Sequence, residues 1–249
     1  MELKRRELFA GMVMICGGLL LNRQAAATGF FFDKAEQPSD KDKDKEPTGG
    51  EITAVEDLMR EHGVLRRALF VYSEAAAKLR TDPSTVAPDV LQKTARLFRA
   101  FGEDYHERRL EEAYIFPAVK RAGGEAARLA DILTVQHQRG REITDYILAA
   151  TRGARLRAGD AELLTRAFES LVRMYRPHAA REDTIVFPAW KQSLSAEQLD
   201  EMNERFEEIE HQQFGADGFE NAVRQIAGIE AELGLADLAR FTAQSPPSR

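Results

Sequence analysis

Cysteine is almost missing from this chain. Its one cysteine, Cys16, lies in a short apolar run near the start, and every later residue is free of thiol. That excludes a disulfide framework, a thiolate metal site and a cysteine nucleophile downstream. An excess of positive charge is lacking too: 35 Lys and Arg stand against 41 Asp and Glu, for a net charge of −6. Nucleic acid is therefore not an expected partner. No segment sustains the apolar–polar alternation of a half-buried strand. Histidine is scarce, with five in the chain, yet a transition-metal site here can draw only on His, Asp and Glu.

What is present suits a soluble core with extensions. The 249 residues are 43% apolar and 31% charged, enough for one ordinary domain. Residues 1–27 read as an export signal. Lys4, Arg5 and Arg6 precede an apolar stretch of about 14 residues, Leu8 to Leu21, and small residues follow at Ala25, Ala26 and Ala27. The stretch is shorter than the roughly 20 residues of a membrane span. Arg5 and Arg6, followed by Glu7, Leu8 and Phe9, resemble a twin-arginine signal, which implies a periplasmic or other extracytoplasmic location. The alternative is an uncleaved segment anchoring the chain to a membrane. Residues 28–50, with alternating Asp and Lys, Pro38, Pro47 and Gly49-Gly50, read as a disordered linker.

From Glu51 onward Ala, Leu, Glu and Arg dominate, and the expectation is all-α. Four long helices are expected over 53–79, 88–120, 125–151 and 160–191, with Pro177 marking a kink in the fourth. Ser195 with Gln198 reads as a capping box opening a fifth helix. A sixth is expected over 218–233, so that 193–241 forms a helical extension and 242–249 a tail. The long helices repeat internally. Ile115-Phe116-Pro117-Ala118-Val119-Lys120 ends the second, and Val186-Phe187-Pro188-Ala189-Trp190-Lys191 ends the fourth. Upstream stand His106 with Glu111-Glu112, and His178 with Glu182-Asp183. Glu61-His62 and Gln136-His137 correspond in the first and third helices. A duplicated hairpin predicts an up-down four-helix bundle over 51–192 with a pseudo-twofold axis.

The fourth helix carries the chemistry most legibly. Leu164, Phe168, Leu171, Tyr175, His178, Glu182 and Ile185 follow at alternating steps of four and three, which is a core-facing seam. A carboxylate on that seam is costly to bury unless it is paired or bound to a metal. Four histidines, one per long helix, can converge at one level of a bundle core, where facing helices build metal sites.

These residues resemble the hemerythrin-like domains over about 55–192. Such domains carry one histidine on each of the first and third helices, and a histidine followed by a bridging carboxylate on the second and fourth, often just before Phe-Pro. The resemblance implies two non-haem iron ions, with His62, His106, His137 and His178 as terminal ligands and Glu111 and Glu182 as bridges. It implies a small diatomic or peroxide ligand and an unknown redox partner. Two features depart from the pattern. His106 and Glu111 are five residues apart rather than four, about 140° around an α-helix. A π-bulge realigns them; otherwise Glu107 or Glu112 serves. In addition, Arg141 stands where oxygen carriers place a second histidine on the third helix. The fifth histidine, His211, is expected to fold back as a lid ligand that makes the two metals inequivalent.

Two other classes compete. Glu103-x-x-His106 and Glu208-x-x-His211 fit the Glu-x-x-His pairs of ferritin-like di-iron oxidases, and a metal-free helical interaction module needs no site at all. As for export, replacing Arg5 and Arg6 by Lys is expected to trap precursor inside the cell. Unimpaired export of that variant, seen by fractionation, rules the route out.

Overall fold

Local capping starts the first helix. The Thr53 hydroxyl accepts from the Glu56 N–H while the Glu56 carboxylate accepts from the Thr53 N–H, so two otherwise orphaned donors are satisfied together. Helix α1 then runs over Ala54–Thr81. Asp82, capping a short 3-10 turn at Pro83–Thr85, reverses the chain. The computed structural model describes residues 52–157 and 159–247; the expected export signal with Arg5 and Arg6, and the linker, lie outside the described residues.

Helix α2 begins with Pro88 in its first turn, where no N–H is needed. It is α-helical over Pro88–Leu97, π-helical over Phe98–Ile115 and α-helical again over Phe116–Ala122. Gly123 and Gly124, both at positive φ, make the turn that β-carbon-bearing residues resist. Helix α3 covers Gly124–Ala150. Helix α4 covers Asp160–Arg181, passes into a π-turn at Glu182–Val186 and finishes at Phe187–Gln192. It continues through Pro177. Ser195 forms the expected capping box with Gln198; α5 spans Ala196–Phe214 and α6 spans Gly218–Glu232.

Short connections force α1 to α4 up and down in turn. Helix α1 lies along α4, and α3 lies between α2 and α4, which closes an all-α four-helix bundle. No described residue is in a strand, and no described helix is long and apolar enough to cross a membrane. The core is otherwise aromatic: Tyr72 stacks on Phe168 at 4.8 Å, and Phe98 meets Tyr175 edge-on at 5.2 Å. Such pairs add to the stabilisation from burial itself.

Helices α5 and α6 dock on α1 and α2. Phe206 stacks on Trp190 at 5.6 Å, and Phe214 packs edge-on to Tyr105 at 5.2 Å. Arg67 pairs with Glu230 and Lys93 with Glu232. The extension thus shares the bundle's core. Phe206→Ala is expected to lower the unfolding free energy by about 3 kcal/mol, the usual scale for an excavated aromatic. Far-UV dichroism on denaturation should show extension and bundle lost in a single transition.

Candidate metal centre

The two π segments place the carboxylates. In α2 the Phe116 N–H bonds the Glu111 carbonyl, and in α4 the Phe187 N–H bonds the Glu182 carbonyl, each five residues back. A proline follows in both, Pro117 and Pro188. Lacking an N–H, it cannot continue the ladder, so a wider turn loses little there. In α2 the wide winding brings residues five apart onto one face. Glu111 Oε1 accordingly lies 3.3 Å from His106 Nε2.

Four imidazoles converge. His62 Nε2 and His106 Nε2 are 3.0 Å apart, and His137 Nε2 and His178 Nε2 are 3.1 Å apart. Glu111 spans the two pairs, with Oε2 3.3 Å from His137 Nε2. Glu182 does the same, with Oε1 3.1 Å from His178 Nε2 and Oε2 3.5 Å from His62 Nε2. All six residues are buried. Rings pave the outside: Phe187 stacks on His62 and Phe116 on His137, both at 5.4 Å. The repeated Phe-Pro therefore covers the histidine of a facing helix.

The second nitrogen of each ring is held by the neighbouring helix. His62 Nδ1 is 2.7 Å from Asp183, His106 Nδ1 2.7 Å from Glu61, His137 Nδ1 2.9 Å from Glu112 and His178 Nδ1 2.9 Å from Gln136 Oε1. Every one of these partners is an acceptor, so Nδ1 carries the proton and a neutral ring turns its Nε2 lone pair inward. Lone pairs then face each other across each histidine pair. None of the four oxygens of Glu111 and Glu182 has a hydrogen-bond partner, although all are buried. Buried anions and lone pairs in such numbers need cations.

The donor set fits two of them. Glu111, His137, His178 and Glu182 place ligand atoms within 4.8 Å of one another, and so do His62, His106 and Glu111. Two nitrogens 3.0 Å apart can both sit roughly 2.1 Å from one ion at an angle of about 90°. That is an octahedral rather than a tetrahedral angle. Nitrogen and carboxylate donors without sulfur suit iron or manganese.

The local field points the same way. Burial alone would lower the basicity of His106, but Glu111 and Glu61 more than reverse this and hold it well above its ordinary value. His137 is also raised against burial, by Glu107, Glu111 and Glu112. Burial would raise Glu111, yet His106 and His137 hold it well below the usual carboxylate range. Asp183 is lowered by His62 and Arg66 despite burial, and Glu112 by His137 and Arg141. A place that stabilises positive charge on nitrogen also stabilises a metal cation.

The sequence expectations for His62, His106, Glu111, His137, His178 and Glu182 meet at this centre. The one for His211 does not. It is exposed and belongs to none of the clusters of metal-ligating type. Helix α5 buries Phe206, Ile209 and Glu210 and packs Phe214 inward. His211, one residue off that stripe, turns to solvent. The ferritin-like pairs fail as well: Glu208 is exposed and ion-paired to Arg205, and Glu103 bonds Thr144 and Arg99. Glu107 and Glu112 support Arg141 and His137 rather than replacing Glu111. Sequence reading missed the orienting roles of Glu61, Gln136, Glu112 and Asp183. Their sequence adjacency to a core-facing histidine or glutamate was the available signal.

Comparison with known proteins agrees. The profile of the hemerythrin HHE cation binding domain matches residues 53–190, and matches again over 128–244. The chain belongs to the hemerythrin HHE cation-binding domain family. The second match begins in α3, as an internally repeated hairpin would allow. A protein of Mycobacterium tuberculosis, described only as uncharacterized, is 45% identical over 192 residues, which covers 77% of this chain and 74% of that relative. An uncharacterized protein of Mycobacterium bovis matches to the same extent. No solved structure matches.

One carboxyl of this hemerythrin-family bundle titrates near neutrality. Burial first, then Glu107, pushes Glu103 up from 4.5 to about 7. Its neutral form is thus favoured on folding. The Glu103 contribution to stability is full below about pH 4.5 and is lost as pH rises through about 7. Glu103→Gln cannot ionise and should flatten that part of the profile. Urea unfolding at pH 5 and pH 8 reads the difference between the variant and the wild type.

Proposed function

We propose that this chain is a non-haem di-iron protein that binds or senses a small molecule, of the class of oxygen, peroxide or nitric oxide, and that it works after export through the route signalled by Arg5 and Arg6. The observation that carries the reading is the set of four inward Nε2 atoms and four hydrogen-bond-free carboxylate oxygens. Iron bound there supplies a redox-active Lewis acid. His62 and His106 would hold one ion and His137 and His178 the other, with Glu111 and Glu182 placed to serve both.

The room beside the centre limits the ligand. A cavity of about 10 Å³ adjoins His62, His106 and Glu182, room for about one water molecule. Leu65, Leu69 and Ala179 form its apolar wall; Tyr175 and Glu107 form the polar one. The Tyr175 hydroxyl donates to Glu107 at 2.6 Å, and Arg141 donates to the other Glu107 oxygen at 3.3 Å. Gly140 makes this possible, because a β-carbon there would stand 2.1 Å from the Tyr175 hydroxyl. These residues shape the cavity wall, and the space suits a ligand of few atoms.

Metal analysis of the purified full chain is expected to give two iron ions per molecule. Optical spectra of the anaerobic reduced protein should change on adding oxygen, peroxide or nitric oxide. Protein that is purified after iron-replete expression and retains no iron overturns the reading. Glu182→Ala and His178→Ala should lose metal. They should also melt earlier, since each leaves buried polar groups unpaired at about 1–3 kcal/mol apiece.

A further inference from the structure

The ring of groups around the four histidines is not symmetric. The pseudo-twofold axis pairs α1 with α3 and α2 with α4, so Asp183 corresponds to Glu112, and Glu61 to Gln136. The first correspondence matches carboxylate with carboxylate. The second matches a carboxylate, bonded to His106, with a neutral amide, bonded to His178. Each Nδ1–H given to a carboxylate raises the electron density at Nε2, and an amide oxygen does this less.

We propose that Gln136 makes the two metal positions unequal, so that the His62–His106 position binds its ion more tightly and fills first. The inference rests on the reading of the site as a two-metal centre. Charges on the packed elements reinforce it. Beside the first position, Glu61 lies with Asp57 and Glu210, their carboxylate oxygens within 4.8 Å of one another. The cations there are Arg66, on Asp183, with a side chain 45% exposed, and Arg60, on Asp57, with a side chain 35% exposed, so solvent screens both. Beside the second position stand Glu112 and Glu107. Arg141 bonds both, and its side chain is only 10% exposed. That buried guanidinium offsets more of the local negative charge. The lid histidine expected from the sequence would have made the metals unequal by adding a ligand. The geometry points instead to a difference one bond further out.

Loss of such an outer partner typically weakens metal binding 10- to 100-fold, and that is the expected gap between the two positions. The test is calorimetric titration of the metal-stripped full chain with cobalt(II), followed in parallel by its visible d–d bands. Wild type should take up two ions in resolved steps about 10- to 100-fold apart. Gln136→Glu should leave the first step in place and tighten the second until the two merge. Glu61→Gln should weaken the first step and bring it toward the second. Gln136→Glu lies at a partly exposed position, so it keeps the test open if Glu61→Gln, which leaves one oxygen to accept from both Tyr105 and His106, fails to fold. Two ions bound with equal intrinsic affinity in wild type, or a second step indifferent to Gln136→Glu, overturns the proposal alone. Uptake of fewer than two ions overturns the two-metal reading on which it stands.

Discussion

Each imidazole in this bundle has one nitrogen already spoken for. Because Nδ1 is given to a neighbouring helix, Nε2 has nowhere to turn except inward. The rest of the centre follows from that constraint. The links run in one sense around the bundle: Glu61 of α1 holds His106 of α2, Glu112 of α2 holds His137 of α3, Gln136 of α3 holds His178 of α4, and Asp183 of α4 holds His62 of α1. The circuit closes. Six ionisable groups can occupy the core because the outer circuit fixes proton positions and the inner faces are shaped for cations.

Backbone geometry serves the same end. A regular α-helix would place His106 and Glu111 on different faces. The π winding of α2 and the π-turn of α4 each close on a buried glutamate, Glu111 and Glu182, and are followed by Phe-Pro. One short motif thus widens the helix, removes an awkward N–H and supplies a ring to cover the histidine opposite. Non-α winding concentrated around a buried polar cluster is a common mark of a working site.

Much of this was legible in the residues, and the failures are instructive. The twice-repeated histidine, acidic pair and Phe-Pro announced the duplicated hairpins. The four-three spacing through Tyr175, His178 and Glu182 placed these side chains on the core seam. The five-residue gap from His106 to Glu111 allowed a local bulge, where the structure has π winding over the whole of Phe98–Ile115. His211 misled because residue type was weighed above periodicity: Phe206, Ile209, Glu210 and Phe214 define the buried stripe of α5, and His211 lies off it. The orienting groups were hidden for another reason. Whether Glu61 serves His106 or His62, and whether Glu112 or Glu111 lies between the histidine pairs, depends on the rotation of one helix against another, which linear spacing does not encode.

The closed circuit also has a seam. Within the first hairpin one link is made, Glu61 to His106, leaving His62 needing an acceptor and Glu112 needing a donor. The second hairpin repeats this, with Gln136 on His178, an unsatisfied His137 and an available Asp183. The two joints between hairpins, Glu112 to His137 and Asp183 to His62, are the same joint made twice in opposite directions. A surface that offers both halves of its own complement is what a twofold assembly of identical pieces requires. A single hairpin of this design is self-complementary, so this one chain has the contact logic of a homodimer.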